Sequence, residues 1–286
     1  MPTYKLAAFD MDGTLLNSSK EIPSSAIAAC KKAHAAGKIL ALDTGRAVSE
    51  LSTYPFSEMG IRYGSCACGT VIYDFQLSEV LAARTIPAEL VPLLVDASRQ
   101  EDLMLQVMVD GISYVEAADV KNMPHFQMGV YQPLYEATTS YAEDIRAFAL
   151  EHAERINKIN MYHTDSASRA RTQERLRHLP LDFTFAEETS LDTTPQGVSK
   201  GSGLADLCKV LGVAIENAIG VGDAFNDVPM LETAGLGVAM GNSNEAAIRA
   251  ADVVVSDNDH DGISEVIELY LQDYLQSFAN KQLFVT

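Results

Sequence analysis

Positive charge is scarce in this 286-residue chain, where 21 Lys and Arg stand against 39 Asp and Glu for a formal net charge of −18. A surface of that sign repels nucleic acid and anionic membrane, so neither is expected as a partner. It also repels a phosphate ester, so any phosphate site has to supply its own local positive charge. Long apolar runs are missing as well. None reaches the length of a transmembrane helix, and Asp10 with Asp12 interrupts the N-terminal apolar stretch, which argues against a signal peptide. The four cysteines, Cys30, Cys66, Cys68 and Cys208, have no CxxC spacing, and the six histidines no HxxxH spacing. A chain of this size needs no disulfide staples. The expectation is a cytoplasmic protein without structural zinc. Internal repeats and low-complexity segments are absent. At 47% hydrophobic and 21% charged residues, the composition is that of a globular protein with one large domain or two smaller ones.

What is present is organised around Tyr4 to Leu16, YKLAAFDMDGTLL. Leu6 to Phe9 is a short apolar run of the kind shown by a fully buried parallel strand. Asp10 and Asp12 follow it, and Gly13 permits a turn that a Cβ would hinder. In an extended chain residues i and i+2 point the same way, so both carboxylates can face one spot. Two anions there are costly unless a cation or a proton lies between them. The motif alone also fits an ordinary acidic turn. It does not fit a calcium-binding EF-hand loop, because Leu15 stands where that loop requires Gly and a strand precedes it.

A β-α rhythm runs through the first part of the chain. A helix is predicted over Ala26–Ala35, a strand over Ile39–Leu42, and a second helix from Arg46 towards Pro55 and Gly60. Strands follow over Tyr63–Cys68, Val71–Tyr73 and Val80–Arg84. The pattern implies a parallel sheet with right-handed crossovers. Near Thr85 the rhythm changes. Pro87–Gln100 reads as a helix, and Leu103–Val109 with Ile112–Glu116 flank Asp110-Gly111 as a hairpin. Ser140–Glu151 and Ser168–Arg177 read as helices, with strands near Lys158–Thr164 and Asp182–Ala186. After Thr194 the alternation resumes: helix Gly203–Leu211, strand Ala218–Val221, helix Val228–Thr233, strand Gly237–Met240, helix Asn244–Ala250, strand Asp252–Val255, and a last helix from Ile263 to Phe278. The expected fold is α/β: a Rossmann-like parallel-sheet core, discontinuous over 1–84 and 190–286, with an inserted α+β domain over 85–189.

Ligands of open parallel sheets sit at the carboxyl ends of the strands. This reading brings four features there: Asp10 with Asp12, Thr44-Gly45-Arg46, Gly222 to Asp227, and Lys200. Each suits phosphoryl transfer. A carboxylate can attack phosphorus, and a second carboxylic acid can protonate the leaving oxygen and then activate water. Mg²⁺ favours carboxylate, water and phosphate oxygens. A lysine, a threonine and backbone N–H groups can hold the other phosphate oxygens. Taken singly, Thr44-Gly45 is an ordinary helix start and Lys200 a surface lysine; it is their combination in this chain order that carries the reading.

DMDGTL, TGR at 44–46, VSKG at 198–201 and GDAFNDVPML at 222–231 resemble the four motifs of the haloacid dehalogenase superfamily, in the form of the Cof-like phosphatases with a large α/β cap. The resemblance extends to Gly237–Asn242 and Asp257–Gly262 and is weakest in the cap. It implies Asp10 as nucleophile and Asp12 as general acid/base. It implies Mg²⁺ held by Asp10, Asp223 and the backbone carbonyl of Asp12, and phosphate bound by Thr44, Gly45, Lys200 and Asn226, with Asp227 behind them. Small phosphorylated metabolites are the implied substrates, sugar phosphates first, then pyridoxal phosphate or FMN. Two positions depart from the family: Cys66-Ala67-Cys68-Gly69 stands where it usually has Asn-Gly, and Asp43 where it has a small or apolar residue.

Two other functions compete. A phosphomutase of the phosphomannomutase kind shares the motifs, but it must hold two phosphates, and Arg84–Ser190 contains 10 Lys and Arg against 17 Asp and Glu. A non-catalytic metabolite-binding protein does not need Asp10, Asp12, Lys200 and Asp223 together. Asp257 to Gly262 with Glu268 fits the EF-hand pattern, but the strand-like Val253–Val255 before it favours a capped start to the last helix. Arg169, Arg171, Arg175 and Arg177 spread around their helix as a solvated face. Lys158, Asn160 and Tyr162 alternate on one strand face; they are candidates for selecting substrate, or simply one face of a sheet.

Overall fold

The computed structural model describes residues 3–271, so the predicted final helix is seen only to Leu271. Five strands come first: β1 (Leu6–Phe9), β2 (Ile39–Asp43), β3 (Ile61–Cys66), β4 (Val71–Asp74) and β5 (Glu79–Ala83). Six follow in the middle of the chain: β6 (Leu103–Val109), β7 (Ile112–Glu116), β8 (Ser140–Ala142), β9 (Ile156–His163), β10 (Leu181–Thr184) and β11 (Ser190–Pro195). The last three are β12 (Ala218–Gly222), β13 (Leu236–Ala239) and β14 (Val253–Val254). They form an eight-stranded sheet in the order β14-β13-β12-β1-β2-β3-β4-β5 and a six-stranded sheet in the order β10-β11-β9-β6-β7-β8.

In the first sheet β1, β2, β3, β12, β13 and β14 are parallel, and β4 and β5 form an antiparallel edge. The central strand β1 is wholly buried because both of its faces are covered. Ala7 and Phe9 pack in the layer holding helix Ser24–Ala35 and Ile263, while Leu6 and Ala8 meet Leu204 and Cys208 of helix Lys200–Leu211. That is why β1 reads as an unbroken apolar run rather than an alternating one. Helix Lys200–Leu211 starts under the carboxyl end of β1. Ser199 accepts the Ser202 N–H at its start, and Gly203 lets it approach so closely that a Cβ there would collide with Ser65 Oγ and Gly69.

The second sheet separates its two faces by alternation, interrupted by a register shift between Met108 and Val109. Leu103, Leu105, Val107, Ile159 and Met161 join helices Val91–Ser98, Ile145–Glu151 and Ser166–Leu176 in one core. The opposite face carries Gln106, Met108, Lys158, Asn160 and Tyr162, and these line a cavity shared with the first sheet. Arg84 and Asn157 mark the entry to this inserted unit, where Asn157 Nδ2 donates to Arg84 O at 3.0 Å.

Several expectations need correction. The boundary at 190 falls at the start of β11, which pairs with β9 and β10 and so belongs to the inserted sheet up to Pro195. Its sequence, SLDTTP, has little apolar signal to announce a strand. The helix expected over Ser140–Glu151 begins only at Ile145, because the Asp144 side chain accepts the N–H groups of Arg146 and Ala147; residues 140–142 instead pair parallel to β7. The long helix expected after Arg46 is two short turns, Val48–Leu51 and Phe56–Met59, broken by Pro55. The last helix is not side-chain capped: Asp261 lies in the left-handed region at φ 64°, and the turn is held by Asp257. The carboxylates of the calcium-like stretch are turned to separate partners, Asp259 to Ser18 and Asp261 to Ser25.

Candidate active site

Asp10 leaves β1 almost fully buried, and its Oδ1 accepts from Lys200 Nζ at 2.5 Å. Lys200 is buried at the start of its helix and also donates to Asp227 Oδ1. Asp227 turns its second oxygen to the N–H groups of Asp223 and Ala224, both at 2.9 Å, which fixes the loop after β12. Asp223 Oδ1 accepts from Thr14 Oγ1 at 2.7 Å.

The carboxylate oxygens of Asp10, Asp223 and Asp227 come within 4.8 Å of one another. Burial pushes the Asp10 carboxyl well above its ordinary value despite Lys200, and Asp227 adds to the rise. Burial, then Asp10 and Asp227, push Asp223 up in the same way. Negative charge here exceeds what Lys200 balances, which is the electrostatic demand of a site that holds a cation. The donor set is all oxygen, as suits a hard divalent ion. Asp227 has both oxygens committed, so Asp10 and Asp223 are the available ligands.

Asp12 meets different neighbours. Arg46 grips it with two hydrogen bonds of 2.8 Å, and Lys20 Nζ adds a third at 2.9 Å. Burial acts to raise its carboxyl, but Arg46 and Lys20 outweigh that and hold it down at about 2. Arg46 closes the TGR motif and yet has no role in the sequence reading. Lys20 belongs to no motif; it sits in a turn held by Asn17, at φ 62°. Lys20 also reaches Tyr131 of the cap, whose hydroxyl donates to Glu187.

Thr44, Gly45 and Asn226 line the same cavity as Asp10, Asp12 and Asp223. Thr44 Oγ1 accepts the Arg46 N–H at 3.2 Å, and the buried Asn226 Oδ1 has no partner among the described residues. Every residue expected at the site from the sequence therefore converges on it. From the inserted sheet, Lys158 Nζ reaches over to Gly45 O at 3.0 Å and pairs with Asp192 at 2.7 Å. Gln106, Asn160, Tyr162, Tyr135 and the core's Glu50 also line the wall. Of these, only Lys158, Asn160 and Tyr162 were expected; Gln106 had a signal, a lone polar residue in the apolar run LMLQVMV, whereas Asp192 and Glu50 had none. Cys68 lies at the junction with its Sγ 3.8 Å from Asp192 Oδ2. Asp43 is fully buried and accepts from Ser65 Oγ at 2.8 Å; burial pushes its carboxyl well up, and Lys200, Asp227 and Asp10 are close enough to act on it.

A family model described as haloacid dehalogenase-like hydrolase matches residues 7–267. The chain belongs to this family. It is accordingly an enzyme, a phosphatase built as an α/β core with an α+β cap. Among its relatives, it is 30% identical over 280 residues to pyridoxal phosphate phosphatase YbhA of Escherichia coli, covering 94% of this chain and 99% of that one. It is 29% identical to the HMP-PP phosphatase of Serratia proteamaculans, over 84% of this chain and 85% of that one. A solved haloacid dehalogenase-like hydrolase from Bacteroides thetaiotaomicron superposes with a TM-score of 0.78 at 28% identity, covering 93% of this chain and 99% of that one. Among the described residues of this hydrolase, no helix is long and apolar enough to cross a membrane.

Proposed function

We propose that this hydrolase is a Mg²⁺-dependent phosphatase of small phosphorylated metabolites, working through an aspartyl phosphate on Asp10. The observation that carries the reading is Asp10 held by Lys200 beside Asp223, a nucleophile and an ammonium next to negative charge that calls for a metal. Asp10, Asp223 and the backbone carbonyl of Asp12 would hold Mg²⁺. When bound, the ion supplies charge neutralisation for a dianionic ester.

The residues act in two steps. An Asp10 carboxylate oxygen attacks phosphorus, the bond to the leaving oxygen breaks, and that oxygen takes the proton of Asp12, which enters this step as the carboxylic acid. Water then attacks the phosphoryl group, giving its proton to Asp12, and the Asp10–phosphorus bond breaks to release phosphate. Lys200, Thr44, the Gly45 backbone and Asn226 hold the non-transferring oxygens throughout. As it stands, Asp12 is a carboxylate gripped by Arg46 and Lys20, so it is ready as the base; to act as the acid it must first leave those cations.

Sugar phosphates and pyridoxal phosphate are the leading substrate candidates, the second supported by the printed activity of the relative from Escherichia coli. The phosphomutase reading finds no support, because the cations lining the cavity are already paired with carboxylates. The test is a metal dependence. Hydrolysis of p-nitrophenyl phosphate should vanish with EDTA and return with Mg²⁺. Full activity in metal-free protein would overturn the assignment.

A further inference from the structure

The cap-sheet face over the site carries buried amides whose orientation is set from the core. Glu50 accepts the Ala47 N–H through Oε2 at 2.9 Å and Gln106 Nε2 through Oε1 at 2.5 Å. With the amide nitrogen of Gln106 turned to this carboxyl, its oxygen faces the other way. It accepts from Asn160 Nδ2 and from Tyr162 OH, both at 2.8 Å. The Asn160 amide is thereby fixed as well, and its Oδ1 is left with no partner among the described residues. Asn160 is only 3% exposed, yet it lines the cavity of about 290 Å³ above Asp10. A buried acceptor without a donor is unfavourable, and a ligand N–H or O–H that meets it removes the deficit.

The charges around this cavity point the same way. Lys158 is answered by Asp192, and Lys20 and Arg46 by Asp12, so among the described residues each Lys and Arg lining the cavity is engaged by a carboxylate. Lining carboxyl groups outnumber these cations six to three. Met108, Met128 and Leu134 supply the apolar part of the wall.

We propose that the cap side of this cavity selects phosphomonoesters whose leaving group is uncharged and brings a hydrogen-bond donor to Asn160 Oδ1, and that it rejects esters with a second anionic group. The proposal rests on the phosphatase reading above. It places bisphosphates, diphosphates and phosphorylated carboxylic acids outside the substrate range, because a second anion would meet carboxylates and, among the described residues, no spare cation.

The test uses phenyl phosphate with the ring isomers of hydroxyphenyl phosphate and carboxyphenyl phosphate, assayed with Mg²⁺. The best hydroxyphenyl isomer should exceed phenyl phosphate severalfold in kcat/KM, and every carboxyphenyl isomer should fall about tenfold or more below it. Two variants are read by ratios within each protein, which cancels any general loss of activity. Asn160→Leu should bring the hydroxyphenyl-to-phenyl ratio to about one. Asp192→Asn, which frees Lys158, should raise the carboxyphenyl-to-phenyl ratio. Equal use of carboxyphenyl and phenyl phosphate by the wild type, or a hydroxyl preference that survives Asn160→Leu, overturns the inference and leaves the phosphatase reading standing. Failure to turn over any ester overturns that reading and the inference with it.

Discussion

At the scale of single residues, Asp10 and Asp12 lie two positions apart and meet opposite surroundings. Asp10 faces Lys200 within a crowd of carboxylates, whereas Asp12 is held by Arg46 and Lys20. Their substitutions should therefore separate kinetically. An Asp12→Asn enzyme keeps its nucleophile, and p-nitrophenolate leaves readily without a proton, so the first step on p-nitrophenyl phosphate should survive. Hydrolysis of the acyl phosphate lacks its base and should slow. The expected stopped-flow trace is a burst of p-nitrophenol followed by a slow steady rate. A sugar phosphate, whose alkoxide leaves poorly, should lose its first step as well. Equal first-step losses on the two substrates would mean that Asp12 is structural.

At the scale of elements, legibility followed the number of covered faces. β1 and β12 are covered on both sides, and their apolar runs named them. The Asp110-Gly111 hairpin was readable because both residues adopt positive φ, as a tight turn requires. β11 was invisible because its face toward the cavity is polar by function, with Ser190 and Asp192 opposite Tyr162 and Asn160. The four motifs gave the residues proposed to carry the chemistry, whereas Glu50, Gln106 and Asp192 matter through contacts at the cap–core junction, which no local spacing records. One element contact gives a pH prediction. His163, at the end of β9, is fully buried; its Nδ1–H donates to Thr189 O at 3.1 Å and its Nε2 accepts from Thr172 Oγ1 at 2.9 Å. Burial holds its pKa below the ordinary 6.5. Below 6.5 the unfolded chain therefore binds more protons, so this contribution is complete above that pH and is lost as pH falls through the lower folded value. Asp119, pushed up to about 6 mainly by burial, acts with the opposite sign over an overlapping range, so the comparison must be with His163→Gln. The stability gap between wild type and this variant, from urea unfolding, should narrow as pH falls below 6.5. A gap independent of pH would show that His163 does not titrate on unfolding.

At the scale of the whole molecule, the cap is tied to the core by more than its two connections. Ser49 of the core donates its N–H to Gly111 O at 3.2 Å, and its hydroxyl accepts the Ser113 N–H at 3.1 Å, so the β6–β7 hairpin is seated beside Glu50. Gly111 has φ 78°, and a Cβ there would lie 3.0 Å from Val48 Cγ2. Gly111→Ala should cost about 1 kcal/mol in left-handed strain and loosen this seat. Faster hydrogen exchange at Ser49 and a higher KM are expected, because closure excludes water from the site. An unchanged Ser49 exchange rate would show that the hairpin is not a tether. The mechanism proposed above turns on one covalent event at the end of β1, and that event can be weighed. The Asp12→Asn protein, mixed with p-nitrophenyl phosphate and Mg²⁺ and quenched in acid during the burst, should gain the mass of one phosphoryl group, located on the peptide bearing Asp10. The same protein carrying Asp10→Asn should gain nothing. A burst without added mass, or a phosphoryl group on another residue, would contradict the account.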